Sequence, residues 1–182
     1  VRHSHDYAQK LRDEYDYDLI RPLSLEEIRH EVGSDAYHGG SLDMGGGHLH
    51  PLRYALGLAR AARDAGVRIF EQSRVTDVTG DAKVVTQAAE IDAKYVILGC
   101  NGYLGGLNGQ IATRVMPINN FIAATEPLDD PQSFIRNNHA VADSKFVINY
   151  FRLSDDNRML FGGGESYGYR FPRDIAATVR KP

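Results

Sequence analysis

A helix with an alanine-lined face places the strongest constraint on how this chain folds. Pro51 stands at a suitable first helical position, and Gly66 is expected to end the helix. Apolar side chains, most of them alanine, recur on one side, at Leu52, Ala55, Leu56, Ala59 and Ala62. Because alanine is small, this face lets the helix axis lie close to a sheet, as a crossover between two strands requires. The pattern predicts an α/β layer over residues 45–112.

Several strands are predicted after this helix. Four of them are short, at 67–70, 74–79, 83–87 and 90–93. The apolar run from Tyr95 to Gly99 is typical of a strand buried on both faces of a mostly parallel sheet. It leads into a turn at Cys100, Asn101 and Gly102. In open α/β sheets, ligands bind at the carboxyl ends of such strands.

The flanking segments predict a β-rich layer. A helix is expected over Asp6–Tyr17, and a capping box at Ser24 and Glu27 starts a second helix, which Gly33 should end in a left-handed backbone. Further strands are expected at 37–43, 115–125, 146–152 and 158–162, the last two as a hairpin. Strands without intervening helices favour antiparallel pairing. The predicted fold class is therefore α/β, or α+β overall, with residues 1–44 and 113–182 forming the antiparallel layer.

Composition excludes several classes of protein. The 182 residues carry 21 Lys and Arg against 24 Asp and Glu, a net charge of −3, without a block of like charges that would favour nucleic-acid binding. The longest apolar stretch is too short to cross a bilayer. One cysteine excludes an internal disulfide and fits the cytoplasm. Because the chain opens on Val1 and closes in a helix-like stretch, it is expected to be a piece of a longer protein; a processed natural protein is the alternative.

The sequence gives little support for a metal site or for a catalytic nucleophile. His48 and His50, with His38 and Asp43 nearby, lack the Cys pair or HExxH motif that would complete a zinc site, so no metal is predicted. Cys100 has no local base and is interpreted as a small residue filling a tight space. The glycine clusters at 45–47, 105–106 and 162–164 do not match a nucleotide-binding motif. No catalytic residue is assigned.

Arg152 is the charged residue of most interest. Strand alternation places Tyr150 and Arg152 on one face, where the guanidinium could hold a carboxylate or a polar amide. An edge-strand arginine exposed to water is the alternative interpretation.

Several segments, in this order and spacing, carry a resemblance to a known family. They are Gly40–Met44, Gly46–Leu52, the alanine-rich helix, Ala65–Ile69, the strand around Val75, Ala93–Gly105, Ala124–Leu128, Tyr150–Leu153 and Arg158–Gly164. Together they resemble the flavin-dependent D-amino-acid oxidase superfamily, and within it the group around gamma-glutamylputrescine oxidoreductase. The resemblance covers nearly the whole chain.

The resemblance implies an FAD site and a substrate site. Residues 45–112 would form the central part of a Rossmann-like FAD-binding domain, and 1–44 with 113–182 part of a substrate domain. In such enzymes the positions of Val75, Cys100, Asn101 and Gly102 lie along the nucleotide portion of FAD. On the substrate sheet, the resemblance implies contacts from Tyr150, Arg152, Gly163 and Gly164.

The resemblance also implies an activity for the parent protein: oxidation of a C–N bond in a small-molecule amine or amino acid, by hydride transfer to FAD. The family's opening strand–GxGxxG–helix element and its C-terminal segment are not found in these 182 residues. The fragment is therefore expected to be inactive alone and to lack most of the FAD affinity. The alternative is a stand-alone binding module without cofactor or chemistry. The sequence leaves open the exact amine, the electron acceptor, flavin attachment and the oligomeric state.

Overall fold

The computed structural model describes residues 2–116, 118–166, 173–175 and 177. The chain divides into two compact units, a first formed by Val1–His50 and Asn120–Ser166 and a second formed by Pro51–Asn119. In the described part of the chain, no helix is both long and apolar enough to cross a membrane.

The described part of the chain contains four α-helices, nine strands and two 3₁₀ turns. The order is α1 (Arg2–Tyr15), β1 (Ile20–Leu23), α2 (Leu25–Glu31), β2 (Gly40–Asp43), α3 (Pro51–Asp64), β3 (Val75–Val78), β4 (Lys83–Thr86), β5 (Glu90–Asp92), a 3₁₀ turn (Asn101–Tyr103), α4 (Gly109–Ala112), β6 (Asn119–Ala124), a second 3₁₀ turn (Pro131–Ser133), β7 (Val141–Ala142), β8 (Tyr150–Leu153) and β9 (Met159–Ser166).

The first unit contains two sheets. Strands β1 and β2 pair antiparallel, and the order in the larger sheet is β6-β9-β8-β7. Within the larger sheet, β7–β8 and β8–β9 are antiparallel, and the predicted hairpin forms between β8 and β9. The predicted helix near the N-terminus is present as α1, and the Ser24–Glu27 capping box is confirmed, with both reciprocal hydrogen bonds formed.

The end of α2 is fastened to a segment about 100 residues further along the chain. Val32 and Ile135 form an isolated antiparallel bridge, and the Gly33 N–H donates to the Phe134 carbonyl at 3.0 Å. The predicted left-handed backbone at Gly33 is wrong, since its φ is not positive. Glycine is needed there for a different reason: an added Cβ would overlap the carbonyl of Ser133. Ile135, fully buried at this crossing, belongs to the core of the unit.

In the second unit, α3 precedes the antiparallel meander β3-β4-β5. Pro51 begins α3, and Gly66 follows its end, as predicted; the backbone of Gly66 is left-handed, at φ +89°. The predicted mixed fold class is confirmed. However, no side chain of α3 is buried, so its alanine-lined face does not lie on a sheet of the described residues.

Two predicted strands of the second unit are wrong. Residues 67–70 and 95–99 form no strand, and Tyr95 and Ile97 are 87% and 92% exposed. A buried parallel strand forms only where neighbouring strands pair with its backbone and helices cover both faces of the sheet. None of the described strands pairs with these residues. The apolar composition of these segments suits them to burial. The described residues, however, provide no strand that pairs with them.

Candidate cofactor and substrate sites

The second unit contains an open cleft of about 650 Å³ that brings together two of the predicted cofactor residues. It is lined by Arg74, Val75, Thr76, Gln87, Cys100 and 103–107. This volume is within the range typical of small-molecule sites. Asn101 and Gly102 adjoin the lining in sequence but are not part of it. Val75 and Cys100, 25 positions apart, thus share one concave surface.

A bulge shapes one wall of the cleft. Val75 pairs with Thr86, but the next pair is Asp77 with Val85, so Thr76 is an additional residue on β3. The Thr76 hydroxyl donates to the Val85 carbonyl at 3.3 Å. Bulges of this kind bend a strand and redirect its side chains beside binding sites. Val75, the first residue of β3, and the bulged Thr76 both line the cleft.

A tight turn shapes the other wall. The Tyr103 N–H donates to the Cys100 carbonyl at 3.0 Å, and Asn101 adopts a left-handed φ of +48°. A Cβ added to Gly102 would meet nothing within 4 Å, so the backbone here borders open space. This turn exposes main-chain groups that a nucleotide can approach closely. Sequence reasoning missed the glycines at 105 and 106 as lining residues, because their spacing matches no motif.

Tyr150 and Arg152 lie on one face of the larger sheet, as predicted. The register pairs Tyr150 with Gly162 and Arg152 with Leu160, so these four residues share a face. The half-buried Arg152 guanidinium donates from Nη1 to the Leu153 carbonyl at 3.1 Å. No carboxylate of the described residues forms an ion pair with it. Among the side chains that the structure describes, the charge therefore has no acidic partner in the sheet.

The Tyr150 ring lies across β9. A Cβ added to Gly162 would overlap the ring, so only glycine lets the ring cross the strand at this height. Beyond it, the Tyr150 hydroxyl donates to Asn120 Oδ1 on β6 at 2.6 Å. Asn120 was missed in the sequence because it lies 30 residues away from Tyr150 and on a strand whose pairing the pattern did not indicate.

The other two predicted substrate residues are close by on β9. A Cβ added to Gly163 would lie 2.7 Å from Asn149 Oδ1, which indicates close strand packing. Gly164 has a left-handed φ of +70° that side-chain-bearing residues rarely adopt. Alternation directs Gly163 away from the face of Tyr150 and Arg152. The structure therefore brings Tyr150 and Arg152 onto one face, with Gly163 turned from it.

Aromatic packing on the reverse face fixes β8. The rings of Phe151 and Phe161 stack with centroids 5.8 Å apart, and Tyr37 lies 6.3 Å from Phe151. Burial raises the pKa of the Tyr37 hydroxyl. Because Phe151 is anchored on that side, its neighbours Tyr150 and Arg152 are held on the opposite face.

Asp143 orders the loop that leads into β8. Its Oδ1 accepts from the N–H groups of Lys145 (3.1 Å) and Asn149 (3.0 Å), and its Oδ2 accepts from Asn149 Nδ2 (2.8 Å). Burial raises the pKa of the Asp143 carboxyl, but these hydrogen bonds outweigh it, and the pKa lies below its ordinary value. The loop is thereby held by one ionised side chain.

Replacing Asp143 with asparagine is expected to lower the free energy of unfolding by about 1 kcal/mol at neutral pH, because Asn149 Nδ2 then faces a second amide donor. Since the folded pKa is depressed, the carboxylate stabilises the fold above its unfolded pKa of about 3.9 and loses this effect as the pH falls through the folded pKa. Urea unfolding should therefore show a smaller difference in unfolding free energy between the wild-type protein and the variant below about pH 4 than at neutral pH. The exposed Asp129→Asn variant is the control, and a pH-independent difference would contradict the prediction.

His48 and Asp43, which lie near the glycine loop, each have a hydrogen-bond partner. His48 Nε2 lies 2.7 Å from the Asn138 carbonyl, and Asp43 accepts from the Tyr17 hydroxyl at 2.5 Å. Hydrogen bonding from Tyr17 lowers the pKa of Asp43, and the bond to Asp43 raises the pKa of Tyr17. Among the residues that the structure describes, no three His, Cys, Asp or Glu side chains converge as metal ligands would.

Comparison with known families decides the classification. The family model described as DAO, FAD dependent oxidoreductase, matches residues 2–181. The chain belongs to this family. The resemblance on which the sequence analysis relied is thereby confirmed.

Similar proteins include oxidoreductases from several bacteria. The chain is 41% identical over 172 residues to gamma-glutamylputrescine oxidoreductase from Escherichia coli, covering 92% of this chain and 40% of that protein. It is 38% identical over 179 residues to the probable oxidoreductase OrdL from Rhizobium meliloti, covering 97% of this chain and 42% of that protein. The chain thus spans about two fifths of the length of these relatives.

Solved structures share the fold at low sequence identity. L-proline dehydrogenase from P. horikoshii matches with a TM-score of 0.74 at 17% identity, covering 94% of this chain and 48% of that one. Glycine oxidase from Geobacillus kaustophilus matches with a TM-score of 0.67 at 16% identity, covering 96% and 56%. At this identity the likeness establishes the fold.

Proposed function

We propose that this chain is the central part of an FAD-dependent oxidoreductase that oxidises a C–N bond of an amine or amino acid to an imine, with a substrate resembling gamma-glutamylputrescine. The family membership and the 41% identity to gamma-glutamylputrescine oxidoreductase support the proposal. The observation that carries it is Arg152, a half-buried guanidinium without an acidic partner among the described residues, on an open sheet face beside Tyr150. A cation held in this way suits a carboxylate-bearing ligand.

The cleft of the second unit fits part of FAD. Val75, Cys100, Asn101 and Gly102 would hold its nucleotide portion, with the open space beside Gly102 giving access to the main chain. FAD, when bound, supplies the acceptor for the hydride equivalent that leaves the carbon next to nitrogen. On this proposal residues 45–112 serve the cofactor, and 1–44 with 113–182 serve the substrate. A reducing compartment such as the cytoplasm suits a chain with one cysteine.

The proposed role of this chain's own residues is to bind the substrate and orient it. Arg152 would pair with the substrate carboxylate through two parallel N–H bonds, which fixes direction as well as position. Tyr150, held over Gly162, would border the same ligand. No side-chain base is assigned, because the proposal requires only that the amine be bound uncharged and that its C–H bond be aligned. The sheet would supply that alignment.

The complete protein that contains this chain provides the test. We expect it to purify with bound flavin and to release hydrogen peroxide, or reduce an added dye, in the presence of gamma-glutamylputrescine. Putrescine, which lacks the carboxylate, should be a much poorer substrate. A complete protein that binds no flavin would instead support a binding module without chemistry.

Replacing Gly102 with valine in the complete protein is expected to weaken FAD binding about tenfold or more, because the side chain occupies the space through which the nucleotide reaches the backbone. Fluorescence titration of the apoprotein with FAD measures this. Gly80→Val is the matched control, since Gly80 also borders open space but lies in the connection between β3 and β4, not in the turn at Cys100 and Asn101 that adjoins the cleft lining. Equal FAD affinity in the two variants would remove Gly102 from the cofactor site.

A further inference from the structure

The hydrogen bond between Tyr150 and Asn120 determines what the tyrosine can offer a ligand. A tyrosine hydroxyl has one proton to donate and lone pairs with which to accept. At 2.6 Å, that proton is donated to Asn120 Oδ1. The hydroxyl oxygen therefore presents only acceptor capacity to anything that approaches the ring. Tyr150 is still 36% exposed, so a ligand can reach it.

Three strands are needed to produce this arrangement. Asn120 is on β6, Tyr150 is on β8, and β9 lies between them in the sheet. The ring crosses β9 only because Gly162, buried and opposite Tyr150 in the register, has no side chain. Asn120 and Gly162 thus fix the ring and the direction of its hydroxyl without themselves needing to touch a ligand.

We propose that Asn120 and Gly162 are positioning residues that make Tyr150 a hydrogen-bond acceptor for a substrate ammonium group, next to the carboxylate held by Arg152. The inference rests on the proposed function and refines it. Two residues apart on one strand face, Tyr150 and Arg152 are roughly 7 Å apart along the strand, a separation that two long side chains can converge across. A paired acceptor and guanidinium match an α-amino-acid head group. The preferred substrate class is then an amine whose far end carries both an α-ammonium and an α-carboxylate.

The test compares two ligands that cannot be oxidised at the reacting amine. Gamma-glutamyl-n-butylamide keeps the amino-acid head group, and its counterpart without the α-amino group keeps only the carboxylate. Calorimetry on the complete, flavin-loaded protein should give a dissociation constant about tenfold lower for the first ligand, since a hydrogen bond to a charged group is lost with the second. Oxidation of gamma-glutamylputrescine by the same preparation checks the proposed function separately.

Variants then locate the source of the preference. Tyr150→Phe and Asn120→Ala should each reduce the tenfold preference to roughly threefold or less, and the double variant should not reduce it further, because Asn120 acts only through the Tyr150 hydroxyl. Gly162→Ala should displace the Tyr150 ring and so break the same hydrogen bond to Asn120. This variant should therefore behave like Asn120→Ala. Gly80→Ala, in open space, should keep the full preference.

Each outcome supports one conclusion. Equal affinity of the wild-type protein for the two ligands, or an unchanged preference in Asn120→Ala, would overturn the inference while amine oxidation stands. A double variant with a larger loss than Tyr150→Phe would show that Asn120 contacts the ligand itself, which also contradicts a positioning role. Failure to oxidise gamma-glutamylputrescine would overturn the proposed substrate and, with it, this refinement.

Discussion

Replacing Arg152 with methionine in the complete protein is expected to raise the KM for gamma-glutamylputrescine about 100-fold. The guanidinium is half-buried and has no acidic partner among the described residues, so it is available to a ligand carboxylate. Loss of a two-pronged, charge-assisted hydrogen bond costs about 2–3 kcal/mol, which is on the order of 100-fold in affinity. Steady-state kinetics measures the effect, with kcat changing much less than KM because the group is remote from the reacting carbon.

Two further variants sharpen this expectation. Arg152→Lys keeps the charge without the planar fork, and should give a KM increase of roughly tenfold. Arg136→Met removes an exposed arginine of the same unit and should leave KM within about twofold. An Arg152→Met protein with the KM of the wild type would remove this residue from the substrate site.

The largest loss of stability is expected at Ile135. The side chain is 0% exposed, at the point where the segment after the second 3₁₀ turn crosses the end of α2. Truncation to alanine leaves a cavity in closely packed surroundings and should lower the free energy of unfolding by about 3 kcal/mol. Urea unfolding followed by far-ultraviolet circular dichroism on the complete protein measures this.

Ile122 provides a matched control within the same unit. It is also an isoleucine, but it is 62% exposed on β6, so Ile122→Ala should cost less than about 0.5 kcal/mol. Similar losses in the two variants would contradict the account of the core around Ile135.

Local signals in the sequence were sufficient for several elements. The capping box at Ser24, the Pro51 start of α3 and the alternation of Tyr150 with Arg152 each depend on residues a few positions apart. Such signals act through the backbone of one segment, so they predict its structure before any packing is known. The same holds for the β8–β9 hairpin.

Long-range contacts were beyond the sequence pattern. The crossing of Ile135 over Val32, and the reach of Tyr150 across Gly162 to Asn120, depend on which strands become neighbours. Gly33 was interpreted through its backbone freedom and Gly162 as the end of a strand, whereas the structure shows that each allows another group to approach closely. A pattern of residue types cannot identify the group that approaches.

The apolar run at 95–99 shows the opposite limitation. Its composition predicts burial, but Tyr95 and Ile97 are almost fully exposed, and no side chain of α3 is buried either. The chain spans about two fifths of the length of the relatives that it matches. On the proposed function, the neighbours of both segments would belong to the remaining parts of such a protein, including the strand–GxGxxG–helix element that the resemblance implies.

Anaerobic addition of gamma-glutamylputrescine to the purified complete protein tests the central claim most directly. The account predicts a flavin absorbance spectrum that bleaches on addition of the amine and returns when an electron acceptor is admitted. A complete protein without flavin absorbance, or a bound flavin that keeps its oxidised spectrum with this amine and with every other amine and amino acid tried, would contradict it.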